Sequence, residues 1–408
     1  MNRESQKTTI TEMKNEGPRA LAYRVTDNAG EIWTVIYRLE GGRIRQVLTQ
    51  KKDAPGVGDI YLGRVAQVAA GIGSSFADTE GGRFFLPGRY RIGEMLPVRV
   101  ETLAFREKLA KATPVLAVNG KYMVLGMERG GVSFSRKLTA EQKVELQRML
   151  ERTEVHTLLA DDDWRILFRT AAGKAEPDDV CRELQTLVHT LRQVTERASR
   201  EARCVRLYEA DSVIAASVKK AGEEEGTWVA TSEELYREAV EEAKKAGIDR
   251  GVIRRYEDKS LTASALYGLQ GKLKQILSER VWLDSGAEIV ITEAEAMCVI
   301  DVNSAKISGS GREREDNFLR LNLEAAREIV AQIGARNISG TILIDFISMK
   351  RAESETILLS EMNALARDIY PPLQVVDITK LGIMETTRQR LSGSIREKSE
   401  LLNKTILI

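Results

Sequence analysis

Two aspartates interrupt apolar segments that have the composition of β-strands. Asp301 lies in MCVIDVNS and Asp345 lies in TILIDFIS. Burying an unpaired carboxylate is costly, so an aspartate in such a strand is usually paired, capping a turn or bound to a metal. Each aspartate taken alone could cap the turn or helix that follows it. If the two strands are neighbours in one sheet, both carboxylates lie near the strand ends where ligands of open α/β sheets collect.

The residue types around these aspartates favour a hard metal ion. Two carboxylates without histidine or thiolate suit Mg²⁺, with Mn²⁺ as the alternative and several waters retained. Asn303 follows Asp301 by two positions, so it points to the same side of an extended strand and could orient a ligand or water. The two histidines of the sequence, His156 and His189, lie in charge-rich segments with a helical pattern. Carboxylates are therefore the better candidates for chemistry.

The overall composition predicts a soluble protein with reduced thiols. The chain of 408 residues exceeds one typical core, which favours two or more domains. No apolar run approaches the roughly 18 residues of a membrane span. The polar start predicts a disordered extension over 1–19 rather than a secretory signal, so we expect a cytoplasmic protein. Distant cysteines without a CxxC pair favour buried thiols over disulfides or a local zinc site at Cys181, Cys204 and Cys298.

Charge gives a local indication rather than a global one. The net charge of +1 exerts no overall attraction on a polyanion, so a nucleic-acid partner would need a local basic patch. The segment 81–111 is a candidate for such a patch, although it could equally be a solvated β surface. Its basic residues are Arg83, Arg89, Arg91, Arg99, Arg106, Lys108 and Lys111, against the acidic Glu94, Glu101 and Glu107.

Hydrophobic patterning predicts the elements that would position these residues. Alternation over 20–50 indicates short antiparallel strands, and the closely spaced strands with glycine turns that follow Gly56 indicate a small closed barrel. Capping-box patterns predict helices that begin after Thr139 and after Thr231. Beyond 275 the order of strands and helices indicates a layered α/β domain, in which the apolar segment ISGTILIDFI predicts a central strand covered on both faces.

Three segments of this last region carry a resemblance to a known family. The segments AMCVIDVNSAKISG, LNLEAAREIVAQIGARNISGTILIDFISM and LGIMETTRQRLS resemble the catalytic core of the bacterial ribonuclease E/G family, and similarity extends over about 20–395. The resemblance implies a deoxyribonuclease I-like domain in which Asp301 and Asp345 hold Mg²⁺ and Asn303 supports them. It further implies an endoribonuclease that hydrolyses single-stranded RNA and leaves 5′-phosphate products.

The resemblance also implies the domain organisation of an α+β multidomain protein, with an OB-fold RNA-binding barrel inserted in a ribonuclease H-like subdomain. The predicted parts are an N-terminal extension (1–19), a split ribonuclease H-like subdomain (20–54 and 205–274), the OB-fold barrel (55–125), a 5′-sensor subdomain (126–204), a deoxyribonuclease I-like domain (275–395) and a C-terminal tail (396–408).

Within the barrel, the resemblance places Phe76 and Phe85 on the RNA-facing sheet, where aromatic rings would stack on bases. From periodicity alone, one or both could instead fill the barrel core. The resemblance adds the basic residues Lys108, Arg136 and Lys137 as RNA contacts, and any of these could be merely solvated.

The segment WRILFRTAAG is similar to the part of the family that senses a 5′-monophosphate, with Arg169 and Thr170 at the matching positions. A guanidinium fork next to a hydroxyl suits a terminal phosphate. An Arg-Thr pair at a strand end is also common without any such role.

The sequence departs from the family after RQRLS. Family members commonly continue with a CPxCxG zinc-link that builds a dimer, whereas SGSIREKSELLNKTILI contains no cysteine. We therefore expect no structural zinc and either a monomer or a weak homodimer, with a tail that could also dock on its own domain. A non-catalytic RNA-binding protein that uses the barrel, or a structural protein that uses it for interactions, are the alternative functions. Partners in a larger RNA-degrading assembly cannot be read from the sequence.

Overall fold

The computed structural model describes residues 17–104, 108–151, 155, 158–159, 163–304 and 311–407. It divides into two compact units, one formed by Met1–Lys52 with Ser212–Ile408 and the other by Asp53–Asp211. Within the described residues, no helix is long and apolar enough to cross a membrane.

The strands, numbered in chain order, are β1 Ala20–Thr26, β2 Ile32–Glu40, β3 Arg43–Lys51, β4 Ile60–Ala69, β5 Ser74–Thr79, β6 Gly82–Pro87, β7 Met95–Thr102, β8 Ala110–Thr113, β9 Ala117–Asn119, β10 Met123–Gly126, β11 Gly131–Phe134, β12 Arg165–Phe168, β13 Arg206–Tyr208, β14 Trp228–Ala230, β15 Ile253–Arg255, β16 Arg280–Trp282, β17 Glu288–Glu293, β18 Met297–Asn303, β19 Gly340–Asp345, β20 Leu373–Ile378 and β21 Ile383–Arg388. The α-helices are α1 Ala140–Leu150, α2 Pro177–Arg200, α3 Val213–Glu223, α4 Glu233–Lys245, α5 Ala263–Leu266, α6 Leu269–Leu277, α7 Gly311–Arg336, α8 Ala352–Leu365 and α9 Ser399–Lys404.

The first sheet of the discontinuous unit has the order β15-β14-β1-β2-β3. Strand β1 pairs antiparallel with β2 and parallel with β14, so the sheet joins two distant parts of the chain. Helices α3 and α4 bury their apolar residues with Trp228 on one face, and α6 packs on the other. The predicted capping box at Thr231 is wrong by one residue. The Thr231 hydroxyl donates to the carbonyl of Ala22, and Ser232 caps α4 instead.

The C-terminal tail docks on this first sheet. Leu402 is fully buried, and the Thr405 hydroxyl lies 2.8 Å from the hydroxyl of Tyr37. The Lys398 ammonium donates to Thr49 Oγ1 over 2.7 Å. Of the two outcomes left open by the sequence, the structure places the tail on its own domain, because the leucines complete the core between the sheet and α6.

The second unit contains a closed five-stranded barrel of the OB type, in the order β4-β5-β6-β8-β7, closed by pairing of β7 with β4. Its core alternates with outward residues along each strand, as the alternating burial of Met95–Thr102 illustrates. Gly63 lies where the barrel is tight, since a β-carbon there would come 2.8 Å from Thr79. The predicted barrel is therefore present.

Beside the barrel, the same unit has a four-stranded sheet in the order β11-β12-β10-β9, covered by α2. The capping box at Thr139 is confirmed. The Thr139 hydroxyl accepts a hydrogen bond from the backbone amide of Gln142, and the side-chain oxygen of Gln142 accepts one from the backbone amide of Thr139. Three strands cross the predicted boundaries. Strands β9 and β10 begin before residue 125 yet pair within this sheet, and β13 follows 205 yet pairs with β4. Strands this short are assigned by their pairing rather than by local pattern.

The last sheet, which we call the carboxylate sheet, has the order β16-β17-β18-β19-β21-β20. Helices α7 and α8 cover one face, where Ile300 and Ile344 are fully buried. The prediction that β19 is covered on both faces is wrong, although its central position is right. Thr341 and Asp345 are exposed on the other face, because among the described residues only the α7 side has a covering layer. We call this second side the open face.

The cysteines are free, as predicted. Cys298 is buried, and this burial raises the pKa of its thiol to about 12, while the other two are partly buried. Such a thiol is unreactive near neutral pH.

Candidate active site

The strand register brings the two predicted aspartates together. Strands β18 and β19 are parallel neighbours, and Asp301 is the direct partner of Asp345. The preceding partners, Ile300 and Ile344, are buried against the helices, so side-chain alternation places both carboxylates on the open face. Neighbouring strands lie about 4.8 Å apart, which puts the two carboxylates within reach of one cation.

The electrostatics of this pair fit a divalent cation. The pKa of the Asp345 carboxyl is raised above its ordinary range, first by desolvation and then by repulsion from Asp301. Asn303 Nδ2 donates a 2.8 Å hydrogen bond to Asp301 Oδ2, which fixes that carboxylate. A cation between the carboxylates would offset the repulsion, and Mg²⁺ commonly uses one or two carboxylates together with waters and phosphate oxygens. In the described part of the chain, no group of three or more His, Cys, Asp or Glu side chains gathers at a common point.

The chain directly after Asp345 is held by helix α7. Asn322 is fully buried, donates to the Ile347 carbonyl over 2.8 Å and accepts the Ile347 amide over 3.0 Å. The buried carboxylate of Glu315 accepts the amides of Lys350 and Arg351. Neither residue was among the predicted site residues. The available signal was the polar Asn322 between Leu321 and Leu323 of the LNLEAA segment.

Arg388, the first arginine of the RQR motif, has a structural role. Its guanidinium donates to the carbonyls of Pro371 and Ile338 and to Asn337 Oδ1, over 2.8 to 3.0 Å. Burial lowers its pKa to about 10. The side chain therefore ties the chain before β20 to the end of α7 and does not reach the open face.

On the barrel, Phe76 and Phe85 form one aromatic pair. They are direct partners on β5 and β6, and their ring centroids lie 5.9 Å apart in an edge-to-face arrangement. Both rings are half-buried, whereas their neighbours Ala77 and Phe84 fill the barrel core. The core alternative is therefore excluded for both, since alternation along each strand turns them outward. Lys111, partner of Phe85 on β8, lies beside the pair.

Part of the predicted basic patch is already engaged within the protein. Arg83 makes a bidentate pair with Asp78, over 2.7 and 3.1 Å, and Lys111 pairs with Glu101 over 2.8 Å. Arg99 donates to the Val115 carbonyl. Arg106 lies outside the described residues. These paired side chains fit a solvated β surface better than a continuous basic surface for binding RNA.

The other predicted RNA contacts lie at the surface. Lys108 is exposed at the start of the last barrel segment, next to residues outside the described ranges. Arg136 and Lys137 are exposed in the turn after β11, where the Lys137 amide lies 3.4 Å from Ser135 Oγ.

The proposed sensor residues lie together at the end of β12. Arg169 donates to Asn119 Oδ1 over 3.0 Å, and the Thr170 hydroxyl lies 2.9 Å from the hydroxyl of Ser135. The β9–β10 turn that carries Asn119 is fixed by Glu183 of α2, whose carboxylate accepts the amides of Lys121, Tyr122 and Met123. A β-carbon at Gly120 would overlap this carboxylate. Asn119, Ser135 and Glu183 were not among the predicted site residues, because their roles depend on contacts between distant segments.

The sequence that builds this arrangement is matched by the model of a known family. The model of the ribonuclease E/G family matches residues 117–391, about two thirds of the chain. The chain belongs to the ribonuclease E/G family. Its RQR motif, its IDVNS and IDFI strands and its LNLEAA helix all lie in the matched region.

Individual relatives agree with this membership. Ribonuclease E of Synechocystis sp. is 29% identical over 364 residues, which are 84% of this chain and 53% of that protein. Ribonuclease G of Haemophilus influenzae is 25% identical over 412 residues, which are 89% of this chain and 78% of that protein. A chloroplastic ribonuclease E/G-like protein of Arabidopsis thaliana is 34% identical over 139 residues. The chain spans about half the length, or less, of the ribonuclease E relatives, with 53% of the Synechocystis protein and 38% of the Haemophilus influenzae protein.

Proposed function

We propose that this member of the ribonuclease E/G family is an Mg²⁺-dependent endoribonuclease that hydrolyses single-stranded RNA in RNA processing and decay. The observation that carries the proposal is the in-register pairing of Asp301 with Asp345 on the open face of the carboxylate sheet. Mn²⁺ is the alternative ion for the same oxygen ligands. Messenger or ribosomal RNA in the cytoplasm is the proposed substrate class.

Asp301 and Asp345 are the residues that would hold the ion, and Asn303 would keep the Asp301 carboxylate oriented. A bound Mg²⁺ supplies Lewis-acid polarisation of a phosphodiester and lowers the pKa of a coordinated water. Attack of water on phosphorus with departure of the 3′ oxygen leaves the phosphate on the 5′ end of the downstream product. The proposed products therefore carry 5′-phosphates.

Binding of the single strand is assigned to the outer face of the barrel. Phe76 and Phe85 offer half-buried rings to bases, and stacking of this kind tolerates any sequence because every base has a π-face. Lys108, Arg136 and Lys137 would add contacts to phosphates.

Recognition of a 5′-monophosphate is assigned to Arg169 and Thr170. The hydrogen bond to Asn119 fixes the Arg169 guanidinium at the end of β12. A guanidinium that is already fixed loses less side-chain entropy when it binds a phosphate. We propose that cleavage is faster when the RNA carries this terminal phosphate.

The finer fold assignments are part of the proposal. The β15-β14-β1-β2-β3 sheet, built from both predicted chain segments, supports the ribonuclease H-like subdomain. The four-stranded sheet with α2 supports the 5′-sensor subdomain, and the carboxylate sheet with α7 and α8 supports the deoxyribonuclease I-like domain. For assembly, we propose a monomer or a weak homodimer without structural zinc.

The proposed function is tested by incubating end-labelled single-stranded RNA with the protein, with and without Mg²⁺. Internal cleavage that requires the ion and leaves 5′-phosphate ends is the expected result. Binding without cleavage at any Mg²⁺ concentration would favour the non-catalytic RNA-binding alternative. The aromatic pair on the barrel would be sufficient for that function.

A further inference from the structure

One large aromatic side chain lies on the carboxylate sheet outside the residues already assigned. Trp282, in the edge strand β16, is 69% exposed. The other tryptophans are used by the fold: Trp228 is fully buried, Trp164 is 8% exposed, and half-buried Trp33 donates its indole N–H to Asp27. Trp282 is thus the one tryptophan of the chain whose ring is mostly exposed to solvent.

The strand register places Trp282 on the open face with the aspartates. Trp282 is the direct partner of Glu288, and Glu288 is the direct partner of Asn303. Direct partners point to the same side of a sheet, and Asp301 is on that side two residues before Asn303. Strand spacing and rise per residue put the Cα atoms of Trp282 and Asp301 about 12 Å apart.

The charge next to Trp282 is neutralised. Arg280 donates to Glu288 Oε1 over 2.6 Å, and Glu288 is itself buried. Without this partner, the Glu288 carboxylate would repel a phosphate backbone that crosses the face. The two ends of the face therefore differ: the aspartate end suits a cation, and at the other end Trp282 presents an aromatic ring beside a carboxylate that is already paired.

We propose that Trp282 is a stacking subsite for a base of single-stranded RNA. The base belongs to a nucleotide within about three positions of the phosphate at Asp301 and Asp345, given a rise of about 3.4 Å per nucleotide in a stacked strand. An exposed indole ring on the same face as a phosphodiester site can stack on an unpaired base of the bound strand. This inference rests on the proposed function, since it takes RNA as the occupant of the open face.

The test measures intrinsic fluorescence of the full chain during titration with a short oligouridylate, in an Asp345→Asn background that prevents cleavage. Stacking on Trp282 quenches its emission, whereas Trp164 and Trp228 are buried, and Trp33, half-buried and bonded to Asp27, lies in the first sheet away from the open face. We expect quenching with the native tryptophan, loss of quenching with near-native affinity for Trp282→Phe, and affinity weakened by about 5- to 140-fold for Trp282→Ala. Ile357→Ala, which removes an exposed apolar side chain from α8 on the other side of the sheet, is the matched control and should bind as the parent does.

Two outcomes would overturn the subsite: quenching that persists in Trp282→Phe, or unchanged affinity in a folded Trp282→Ala protein. Emission that changes with protein concentration and not with RNA would also overturn it, because a second copy of the chain would then cover the ring. Circular dichroism establishes folding, and Trp282→Phe keeps the test decisive if the alanine variant unfolds. The proposed function fails separately, through an absence of Mg²⁺-dependent cleavage by the parent protein.

Discussion

Asp301 and Asp345 place two like charges on adjacent strands, a costly arrangement for a fold to maintain without a ligand. The raised pKa of Asp345 reflects this cost, through desolvation first and repulsion from Asp301 second. Asn303 and the buried Asn322 hold the two strand ends from opposite sides of the sheet. At the residue scale, the site is thus defined by what fixes the carboxylates as much as by the carboxylates themselves.

Asp301→Asn and Asp345→Asn should each reduce Mg²⁺-dependent cleavage by roughly 10³-fold or more, because each removes an ionised metal ligand that supports several kcal/mol of transition-state stabilisation. RNA affinity should change little, since no phosphate-neutralising cation is lost. Cleavage is measured on labelled RNA and affinity by filter binding. Asp377→Asn, an exposed aspartate in β20 of the same sheet, is the matched control. Full activity in either ligand variant would remove these residues from the metal site.

At the scale of elements, side-chain alternation along β5 and β6 separates rings that face outward from rings that build the core. Phe85 is half-buried outside, while Phe84, next to it in sequence, is 1% exposed inside the barrel. Adjacent phenylalanines thus serve different purposes, and substitution can tell them apart.

Phe76→Ala should weaken binding of single-stranded RNA by about 1–3 kcal/mol through lost stacking, with the Mg²⁺ requirement unchanged. Phe84→Ala should instead lower the free energy of unfolding by about 3–5 kcal/mol, because it leaves a cavity in the barrel. Urea denaturation and RNA titration of both variants give the comparison. A Phe76→Ala barrel that unfolds as readily as the Phe84→Ala barrel would show that the outer ring is structural.

The docked tail adds a pH-sensitive contact to the first sheet. Burial of the Lys398 ammonium lowers its pKa from an ordinary 10.5 to about 8, with Glu397 opposing the shift. Between these values the unfolded chain binds more protons than the folded one, so the free energy of unfolding contributed by this group rises with pH. Below about pH 8 both states are protonated and the full cost of burial is present.

Lys398→Met should therefore abolish a rise of roughly 1–3 kcal/mol in unfolding free energy between about pH 8 and pH 10.5. The measurement is urea denaturation across that range for the parent and the variant, because their difference cancels other titrating groups. Lys244→Met, at an exposed position of α4, is the control and should leave the pH dependence unchanged. A parallel pH dependence in Lys398→Met and the parent would mean that the ammonium is solvated.

At the scale of the whole molecule, the candidate functions are divided between the two units. The carboxylates and Trp282 belong to the discontinuous unit, whereas the aromatic pair and the sensor residues belong to the unit of Asp53–Asp211. Each group should therefore be separable by mutation, with metal-dependent cleavage and 5′-end preference as independent properties.

Arg169→Ala should erase a preference for 5′-monophosphorylated over 5′-hydroxyl RNA while leaving cleavage of the 5′-hydroxyl substrate unchanged. A charge-assisted pair contributes about 1.5–3 kcal/mol, so the preference in the parent should be roughly 10- to 150-fold. Rates on matched RNAs that differ only at the 5′ end provide the measurement. Arg165→Ala is the control, because Arg165 lies four residues earlier, at the start of β12, and pairs with Glu128. Equal rates on the two RNAs with the parent protein would exclude the sensor.

The sequence by itself determined the family, the catalytic candidates and most elements, because these depend on local chemistry. The costly aspartates in apolar strands and the capping box at Thr139 are readable from neighbouring residues. Side-chain alternation also follows from the strand, but which side is covered does not. Tertiary structure alone decided that Asp301 faces Asp345, that Phe76 turns outward, that β10 leaves the barrel for β12 and that the tail docks. Each of these depends on pairing between segments far apart in the chain, and the free energy that selects one pairing is distributed over whole interfaces rather than encoded in any short motif.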